Sequence, residues 1–258
     1  MVNFTTPDNL KLFYKTFGDP QNPAVLLIHG LGADNGMWQP QIEPFAAAGF
    51  YVITPDMRSH GQSATSEFTI AACARDLRDL LDELDIQKAH LVGVSMGGLI
   101  VQQMTCDFPD RVDKIVICDS FSGVISFSER FNAQLAAVLL AILPNKLLTK
   151  LLVSTYQRIG REDVASYFTS VLRSADVHNV RAARRAVNVF NIVARLPEIR
   201  QPALVLVGDK FGKMAVEMAH KTANGIPGAA FQILKGGGDP SNLLVPEAFN
   251  RQVLEFLK

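Results

Sequence analysis

The chain has 258 residues, of which 48% are hydrophobic and 19% are charged, and its 25 basic residues balance 25 acidic ones. This composition excludes an intrinsically disordered chain, and a net charge of zero gives no electrostatic basis for binding nucleic acid or an anionic membrane surface. We therefore expect a soluble globular protein with a large buried core.

The N-terminal segment and the cysteines bear on location and metal binding. Residues Met1 to Asp8 lack the basic and then apolar segments of a secretory signal, so we expect a cytoplasmic protein. Cys73, Cys106 and Cys118 have no metal-type spacing and lie in apolar periodic stretches, which predicts reduced, buried thiols and neither a metal nor a cofactor. The longest apolar run, 135–143, is too short to span a bilayer, so we expect a cap or core helix there and no membrane partner.

Six short runs rich in β-branched residues alternate with longer amphipathic runs. Runs that are apolar throughout are typical of strands covered by helices on both faces, as in a parallel sheet. Residues 69–84 and 96–106 carry apolar side chains at helical spacing. The sequence therefore predicts an α/β fold with a mostly parallel central sheet flanked by helices. The predicted strands are 24–28, 51–54, 90–94, 114–117, 203–207 and 231–234.

The strand pattern is interrupted between Ser120 and Pro197, where the periodicity is helical. A helical segment between two core strands indicates an insertion into the sheet. We predict a single domain in which residues 1–121 and 198–258 form the α/β core and residues 122–197 form a helical cap.

Two groups of side chains in or next to the predicted cap bear on what could bind there. Arg181, Arg184 and Arg185 could attract an anionic substrate, although a solvated helix face is the commoner explanation for such a cluster. Five phenylalanines indicate an apolar pocket lining or, equally, the packing core of the cap itself. They are Phe121, Phe127, Phe131, Phe168 and Phe190.

The sequence Gly93-Val94-Ser95-Met96-Gly97 follows a predicted strand and opens a predicted helix. In this context Gly-x-Ser-x-Gly predicts a nucleophile elbow, a sharp turn that exposes the serine hydroxyl and needs small neighbours so that strand and helix can approach. The N–H groups at the helix start would face negative charge that develops there. The alternative is a serine N-cap followed by glycines that serve packing. Ser95 is thus the candidate nucleophile.

Three further landmarks occur in a familiar order: His-Gly-Leu-Gly at residues 29–32 after a strand, the loop 56–63, and the helix start 246–250. Together with the elbow they make the whole chain resemble the α/β-hydrolase family. The pattern is closest to the small hydrolases of carbon–carbon bonds and enol-lactones, and to esterases of similar size. This resemblance implies that the backbone N–H groups of Leu31 and Met96 form an oxyanion hole.

The chain departs from the family pattern at both partners of the serine. The acid usually stands in a Gly-x-x-Asp segment after the strand that here ends at Val207, but Phe211 occupies that position. The histidine usually follows the last strand, and Asp239 stands in its place. Asp119, just past another strand, is a candidate acid with a strand-end turn as the ordinary alternative. Asp209 is either a loop hydrogen-bond acceptor or a displaced acid.

Asp239 is therefore a candidate base or water binder. A carboxylate with an ordinary pKa near ~3.9 is a poor base for a serine hydroxyl, although burial beside other carboxylates raises that pKa. Among the five histidines, His178 in the cap is the one placed to reach Ser95, and His29 is expected to be structural.

Three functions remain open from the sequence. The first is a serine-dependent hydrolase of a small ester or lactone, or of a carbon–carbon bond, with an altered acid/base arrangement. Losing triad members still leaves about 10³- to 10⁴-fold catalysis over water, so the departures do not exclude turnover. The second is a ligand-binding or regulatory protein that has kept the pocket. The third is a lyase or cofactor-free reaction in the same pocket. In each case the partner is a small, partly apolar molecule, and the sequence specifies no oligomeric state.

Overall fold

The computed structural model describes residues 2–123 and 145–258. In these ranges eight strands form one sheet: β1 Val2–Thr5, β2 Lys11–Phe17, β3 Ala24–Ile28, β4 Tyr51–Pro55, β5 Ala89–Val94, β6 Val112–Cys118, β7 Ala203–Gly208 and β8 Ala230–Leu234. The strand order is β1-β2-β4-β3-β5-β6-β7-β8. β1 and β2 are antiparallel to their neighbours, and β3 to β8 all pair in parallel. The predicted α/β fold with a mostly parallel sheet is confirmed.

The sequence pattern misses β1 and β2, which extend the sheet beyond β4. β2 buries Leu12, Phe13 and Tyr14 but begins with the exposed Lys11 and ends with half-buried residues. It therefore lacks the continuous apolar run by which the parallel strands are recognised.

The central strands β3, β5 and β7 bury every side chain. β8 differs because it lies at the sheet edge and has a neighbour on one side, so that Ile233 is 53% exposed. We predicted that all six strands are buried on both faces, and this prediction is wrong for β8.

Helices pack on both faces of the sheet, and the predicted helical segments 69–84 and 96–106 and the helix start at 246 are confirmed. The helices are α1 Gln39–Ala47, α2 Ile70–Glu83, α3 Met96–Asp107, α4 Asn145–Arg158, α5 Glu162–Ser174, α6 Val177–Val189, α7 Lys213–Gly225, α8 Ser241–Leu244 and α9 Pro246–Leu257. The start of α2 is fixed by Thr69, whose hydroxyl accepts a hydrogen bond from the Ala72 N–H at 3.0 Å.

Alternate side chains of β3 enter two separate apolar cores, as the two-residue repeat of a strand requires. Leu26 and Ile28 belong to the core that contains the buried side chains of α2 and α3. Val25 and Leu27 belong to the core that contains the aromatic side chains of α1 and α9. Both faces are thus filled, and the carboxyl ends of the parallel strands are where α/β proteins carry their ligands.

Helices α4, α5 and α6 lie between β6 and β7 in the chain, in the segment where a helical cap is expected. The division into a core of 1–121 and 198–258 and a cap of 122–197 stays a prediction. The apolar run 135–143, together with Phe127 and Phe131, lies outside the described residues.

The cysteines are free thiols: Cys73 and Cys118 are buried, and Cys106 is half-buried. Burial raises the pKa of the Cys73 and Cys118 thiols well above the usual value. No helix in residues 2–123 and 145–258 combines the length and apolar character needed to cross a bilayer.

Candidate active site

Ser95 lies at a sharp turn between β5 and α3, with φ 56° and ψ −119°. A non-glycine residue with a positive φ is uncommon, and such strain costs roughly 1–3 kcal/mol unless the surroundings impose it. Here the surroundings are glycines: a Cβ on Gly93 would lie 2.3 Å from the Gly97 carbonyl oxygen. A Cβ on Gly97 would lie 2.1 Å from the Ile28 carbonyl oxygen. The glycine spacing therefore serves the close approach that the sequence pattern predicts.

The main chain of Ser95 is held from the next strand of the sheet. Its N–H donates to the Cys118 carbonyl at 2.9 Å, and its carbonyl accepts from the Ser120 hydroxyl at 2.8 Å. The end of β6 thus fixes the turn on both sides of the serine.

Asp239, on the loop after β8, is the hydrogen-bond partner of the serine. The Ser95 hydroxyl donates to Asp239 Oδ2 at 3.0 Å. Burial, and next the Asp119 carboxylate, raise the pKa of Asp239 to about 7 against the opposing effects of Ser95 and Arg184. The carboxylate that stands in the usual histidine position is therefore close to the serine and far more basic than an ordinary aspartate.

Asp119 follows β6 and is 2% exposed. Its Oδ1 accepts from the Gly208 N–H at 2.8 Å and from the Ser241 hydroxyl at 3.0 Å, and its Oδ2 accepts from the Ser241 N–H at 2.6 Å. Burial raises the pKa of Asp119 despite these three donors. Asp119 ties β6 to the end of β7 and to the loop that carries Asp239. It acts on Asp239 through charge, because its own hydrogen bonds go to other groups within the described residues.

Leu31 and Met96, the residues predicted to form the oxyanion hole, lie on the loop after β3 and at the start of α3. A Cβ built on Gly30 would be 3.4 Å from the Ser95 Cβ, so the loop that carries Leu31 passes directly against the serine. Met96 is the first residue of α3, where the N–H has no intrahelical acceptor. Within the described part of the chain, neither the Leu31 N–H nor the Met96 N–H has a hydrogen-bond acceptor.

The histidines make no hydrogen bond to Ser95 among the described contacts. His29 is buried; its Nε2 accepts from the Met57 N–H at 3.0 Å, so Nδ1 carries the proton toward the Gly30 carbonyl at 2.8 Å. This is the structural role expected for it. His178 is exposed near the start of α6 and is not brought to the serine. His60 and His90 are buried elsewhere, and His220 is exposed.

The loop after β7 holds no acid in the usual place. Phe211 is exposed there, and Asp209 accepts a hydrogen bond from the Gly236 N–H at 2.8 Å. Asp209 is thus a hydrogen-bond acceptor for the neighbouring loop, the ordinary one of the two alternatives given for it.

The basic cluster of α6 divides into two environments. Arg185 is exposed, as expected for a solvated helix face, whereas Arg184 is half-buried and attracted by Asp239. Burial lowers the pKa of Arg184. The sequence marks Arg184 as one of three basic residues and does not predict its attraction to Asp239. It also does not predict the contacts of Ser241 and Tyr156 near Asp239, because these contacts join segments far apart in the chain.

A mostly parallel sheet with a strained serine in the sharp turn between a strand and the following helix defines a protein of the α/β-hydrolase class. A family profile described as alpha/beta hydrolase fold matches residues 23–244, and the chain belongs to this family.

Several relatives resemble the chain over most of their length. A protein of Variovorax paradoxus (strain S110) named "Putative carbamate hydrolase RutD" is 31% identical over 257 residues, 96% of each chain. The 3-oxoadipate enol-lactonase 1 of Acinetobacter baylyi is 30% identical over 198 residues, 73% of this chain and 72% of the relative. The crystal structure of the enol-lactonase from Burkholderia xenovorans LB400 has a TM-score of 0.87 at 25% identity and covers 99% of both chains.

Proposed function

We propose that the protein is a serine hydrolase of small esters or lactones in which Ser95 is the nucleophile and Asp239 is the general base. The observation that carries the proposal is the 3.0 Å hydrogen bond from the Ser95 hydroxyl to Asp239 Oδ2. A nucleophile and its base must lie within this distance before any difference in basicity matters.

The basicity of Asp239 supports the same role. A general base works best when its pKa lies near the operating pH, and the pKa of Asp239 is raised from 3.8 to about 7. That value is close to the ~6.5 of an ordinary histidine. Two neighbouring carboxylates thereby provide the basicity for which the family usually employs an imidazole.

The chemistry follows from these positions. Ionised Asp239 takes the proton of the Ser95 hydroxyl while Oγ attacks the substrate carbonyl, and the oxyanion that forms is stabilised by the N–H groups of Leu31 and Met96. The protonated carboxyl group of Asp239 then gives its proton to the departing alcohol. In the second half of the reaction, Asp239 takes a proton from water while the water oxygen attacks the acyl carbonyl. The bond to Ser95 Oγ breaks, the carboxylic acid is released, and Ser95 Oγ takes the proton back from Asp239. Asp119 favours the first step because its negative charge disfavours the ionised form of Asp239.

The names of the relatives support the substrate class. They include a carbamate hydrolase and two enol-lactonases, and the similarity extends over most of each chain. We propose a small ester or lactone as substrate, with cytoplasmic location as predicted from the sequence.

The test is the hydrolysis of p-nitrophenyl acetate and butyrate by the wild type and by Ser95→Ala. We expect turnover in the wild type and loss of it in the variant, together with labelling of wild-type Ser95 by a fluorophosphonate probe. Equal rates for the two proteins would contradict the proposal.

A second candidate is a ligand-binding or regulatory protein, favoured by the lack of a histidine in contact with Ser95 among the described residues. It predicts stoichiometric binding of an ester or lactone without release of product. Turnover that depends on Ser95 would exclude it.

A further inference from the structure

Two tyrosines of the inserted helices contact the two loops that carry the candidate site. The Tyr156 hydroxyl, on α4, donates to the main-chain carbonyl of Asp239 at 3.0 Å. The Tyr167 hydroxyl, on α5, donates to Asp34 Oδ1 at 3.0 Å and accepts from the Asp34 N–H at 3.1 Å. Asp34 belongs to the loop after β3, which also carries Leu31. Each site loop therefore receives one tyrosine hydroxyl from the insertion.

Tyr156, Tyr167 and Phe168 form an aromatic cluster in which both tyrosine rings pack on Phe168. The Tyr156 ring is stacked on Phe168 with centroids 5.3 Å apart, and the Tyr167 ring meets it edge-on at 5.1 Å. Tyr156 and Phe168 are 5% and 6% exposed. A buried, stacked ring has little freedom, so its hydroxyl is presented at a fixed point.

The loop after β8 is fastened on two sides. On the core side, Ser241 donates twice to Asp119. On the side of the insertion, the Arg161 guanidinium donates to the carbonyls of Leu243 and Leu244, the former at 2.6 Å. Among the described contacts, the Asp239 carboxylate accepts a hydrogen bond from the Ser95 hydroxyl, and its main-chain carbonyl accepts one from the Tyr156 hydroxyl.

We propose that Tyr156 is a positioning residue for Asp239: its hydroxyl, acting through the main-chain carbonyl, holds the Asp239 carboxylate against Ser95 and away from water. This inference rests on the proposed function, in which Asp239 is the general base. Tyr156 has no part in the chemical steps, because its hydroxyl contacts the main chain rather than the reacting atoms.

The consequence for basicity follows from the cause of the raised pKa. Burial is the largest reason why the pKa of Asp239 is about 7 rather than 3.8. A loop released from Tyr156 admits water to the carboxylate, which lowers that pKa and lengthens the distance to Ser95. The base then becomes both weaker and less well placed.

Tyr156→Phe tests this role, because it keeps the ring on Phe168 and removes only the hydroxyl. Tyr51→Phe is the matched control, since the Tyr51 hydroxyl makes no hydrogen bond within the described residues. Tyr167→Phe removes a hydroxyl from the same aromatic cluster but leaves the contact to Asp239 intact. The readouts are a ¹³C NMR titration of the Asp239 carboxyl group, assigned with Asp239→Asn, and kcat and KM for p-nitrophenyl acetate.

In Tyr156→Phe we expect the pKa of Asp239 to fall by about one unit or more and kcat to fall about tenfold, with KM within about twofold of wild type. Tyr51→Phe should match the wild type, and Tyr167→Phe should leave the Asp239 titration unchanged. An unchanged Asp239 pKa in folded Tyr156→Phe would overturn the inference. So would an equal fall in Tyr167→Phe, because a general loosening of the insertion would then explain both.

The titration separates this inference from the proposed function. A wild type without esterase activity would contradict the proposed function, yet the Asp239 pKa would still decide the role of Tyr156. If Tyr156→Phe does not fold, Phe168→Leu keeps the hydroxyl but removes the ring on which Tyr156 stacks. We expect a smaller fall in the Asp239 pKa there, and no fall would overturn the inference.

Discussion

At the scale of the residue, the pair of Asp119 and Asp239 reverses the electrostatics of a serine triad with histidine. In such a triad the acid stabilises the positive charge that the imidazole acquires. Here the neighbour of the base carries the same charge as the base, so it favours the protonated, neutral form. When Asp239 accepts the serine proton, the negative charge moves from a repulsive site to the substrate oxygen. Arg184 limits the effect, since it stabilises ionised Asp239.

Asp239→Asn should separate activity from stability. An amide cannot accept the serine proton, and loss of a general base costs about 10²- to 10⁴-fold in kcat. The fold should gain stability at pH 8, because the folded-state pKa of about 7 lies above the unfolded value of 3.8 and ionising Asp239 costs the folded protein. We expect a gain of about 4 kcal/mol in the free energy of unfolding at pH 8, and none below pH ~3.

Urea unfolding at the two pH values and kcat for p-nitrophenyl acetate check this prediction. Asp209→Asn is the control, because its side-chain oxygen can still accept from the Gly236 N–H. A variant that is inactive but equally stable at pH 8 would show that Asp239 is not held in an unfavourable ionised state.

Asp119→Asn should move the pH profile. In the wild type kcat/KM rises with pH as Asp239 ionises, around pH 7. Asp119 is the second-largest cause of the raised pKa of Asp239, so its neutralisation should move this rise to lower pH. In this variant an amide NH₂ group replaces one carboxylate oxygen. If it faces the Ser241 N–H, two donors meet and the lost hydrogen bond should cost roughly 1–3 kcal/mol of stability. Rate profiles between pH 5 and 9 measure the shift, and an unchanged profile would contradict a charge coupling between the two carboxyl groups.

At the scale of the element, the turn between β5 and α3 depends on how closely β3 and α3 approach. Gly97→Ala would place a Cβ 2.1 Å from the Ile28 carbonyl oxygen. Gly49→Ala, at φ +90° with no atom within 4 Å, introduces only an unfavourable backbone angle. We expect Gly97→Ala to lower the free energy of unfolding by about 3 kcal/mol or more and Gly49→Ala by about 1 kcal/mol. Chemical denaturation measures both, and equal losses would show that α3 shifts to accommodate the methyl group.

The same elements show which features a sequence can predict. The turn at Ser95 is readable because its determinants, two glycines and an apolar strand, lie within a few residues of the serine. β2 is not readable, because a half-exposed strand carries a weak pattern. The contact of Tyr156 with Asp239 joins residues 83 positions apart, and no local pattern encodes it. The replacement of the usual histidine by Asp239 is visible in the sequence. The basicity of Asp239, however, depends on burial that only the folded chain provides.

At the scale of the whole molecule, buried titratable groups oppose one another in the pH dependence of stability. Burial lowers the pKa of His60 to about 4, and it lowers those of His29 and His90 as well. Between pH 6.5 and pH 4 the unfolded chain therefore binds protons that the folded chain does not, and stability falls as the pH falls. Asp239 has the opposite effect between pH 7 and pH 3.8, because its folded-state pKa is raised.

His60→Asn should remove one side of this balance. His60 packs between His29 and Phe68, and its Nδ1 donates to the Arg58 carbonyl, a bond that an asparagine amide can replace. We expect the variant to lose packing energy at every pH but to lose less stability on acidification, by about 3 kcal/mol between pH 7 and pH 4 relative to wild type. Urea unfolding at the two pH values gives this difference directly, and His220→Asn, at an exposed position, is the control. Parallel losses in wild type and variant would show that His60 takes up its proton without unfolding, and the acid sensitivity would then belong to the other buried histidines.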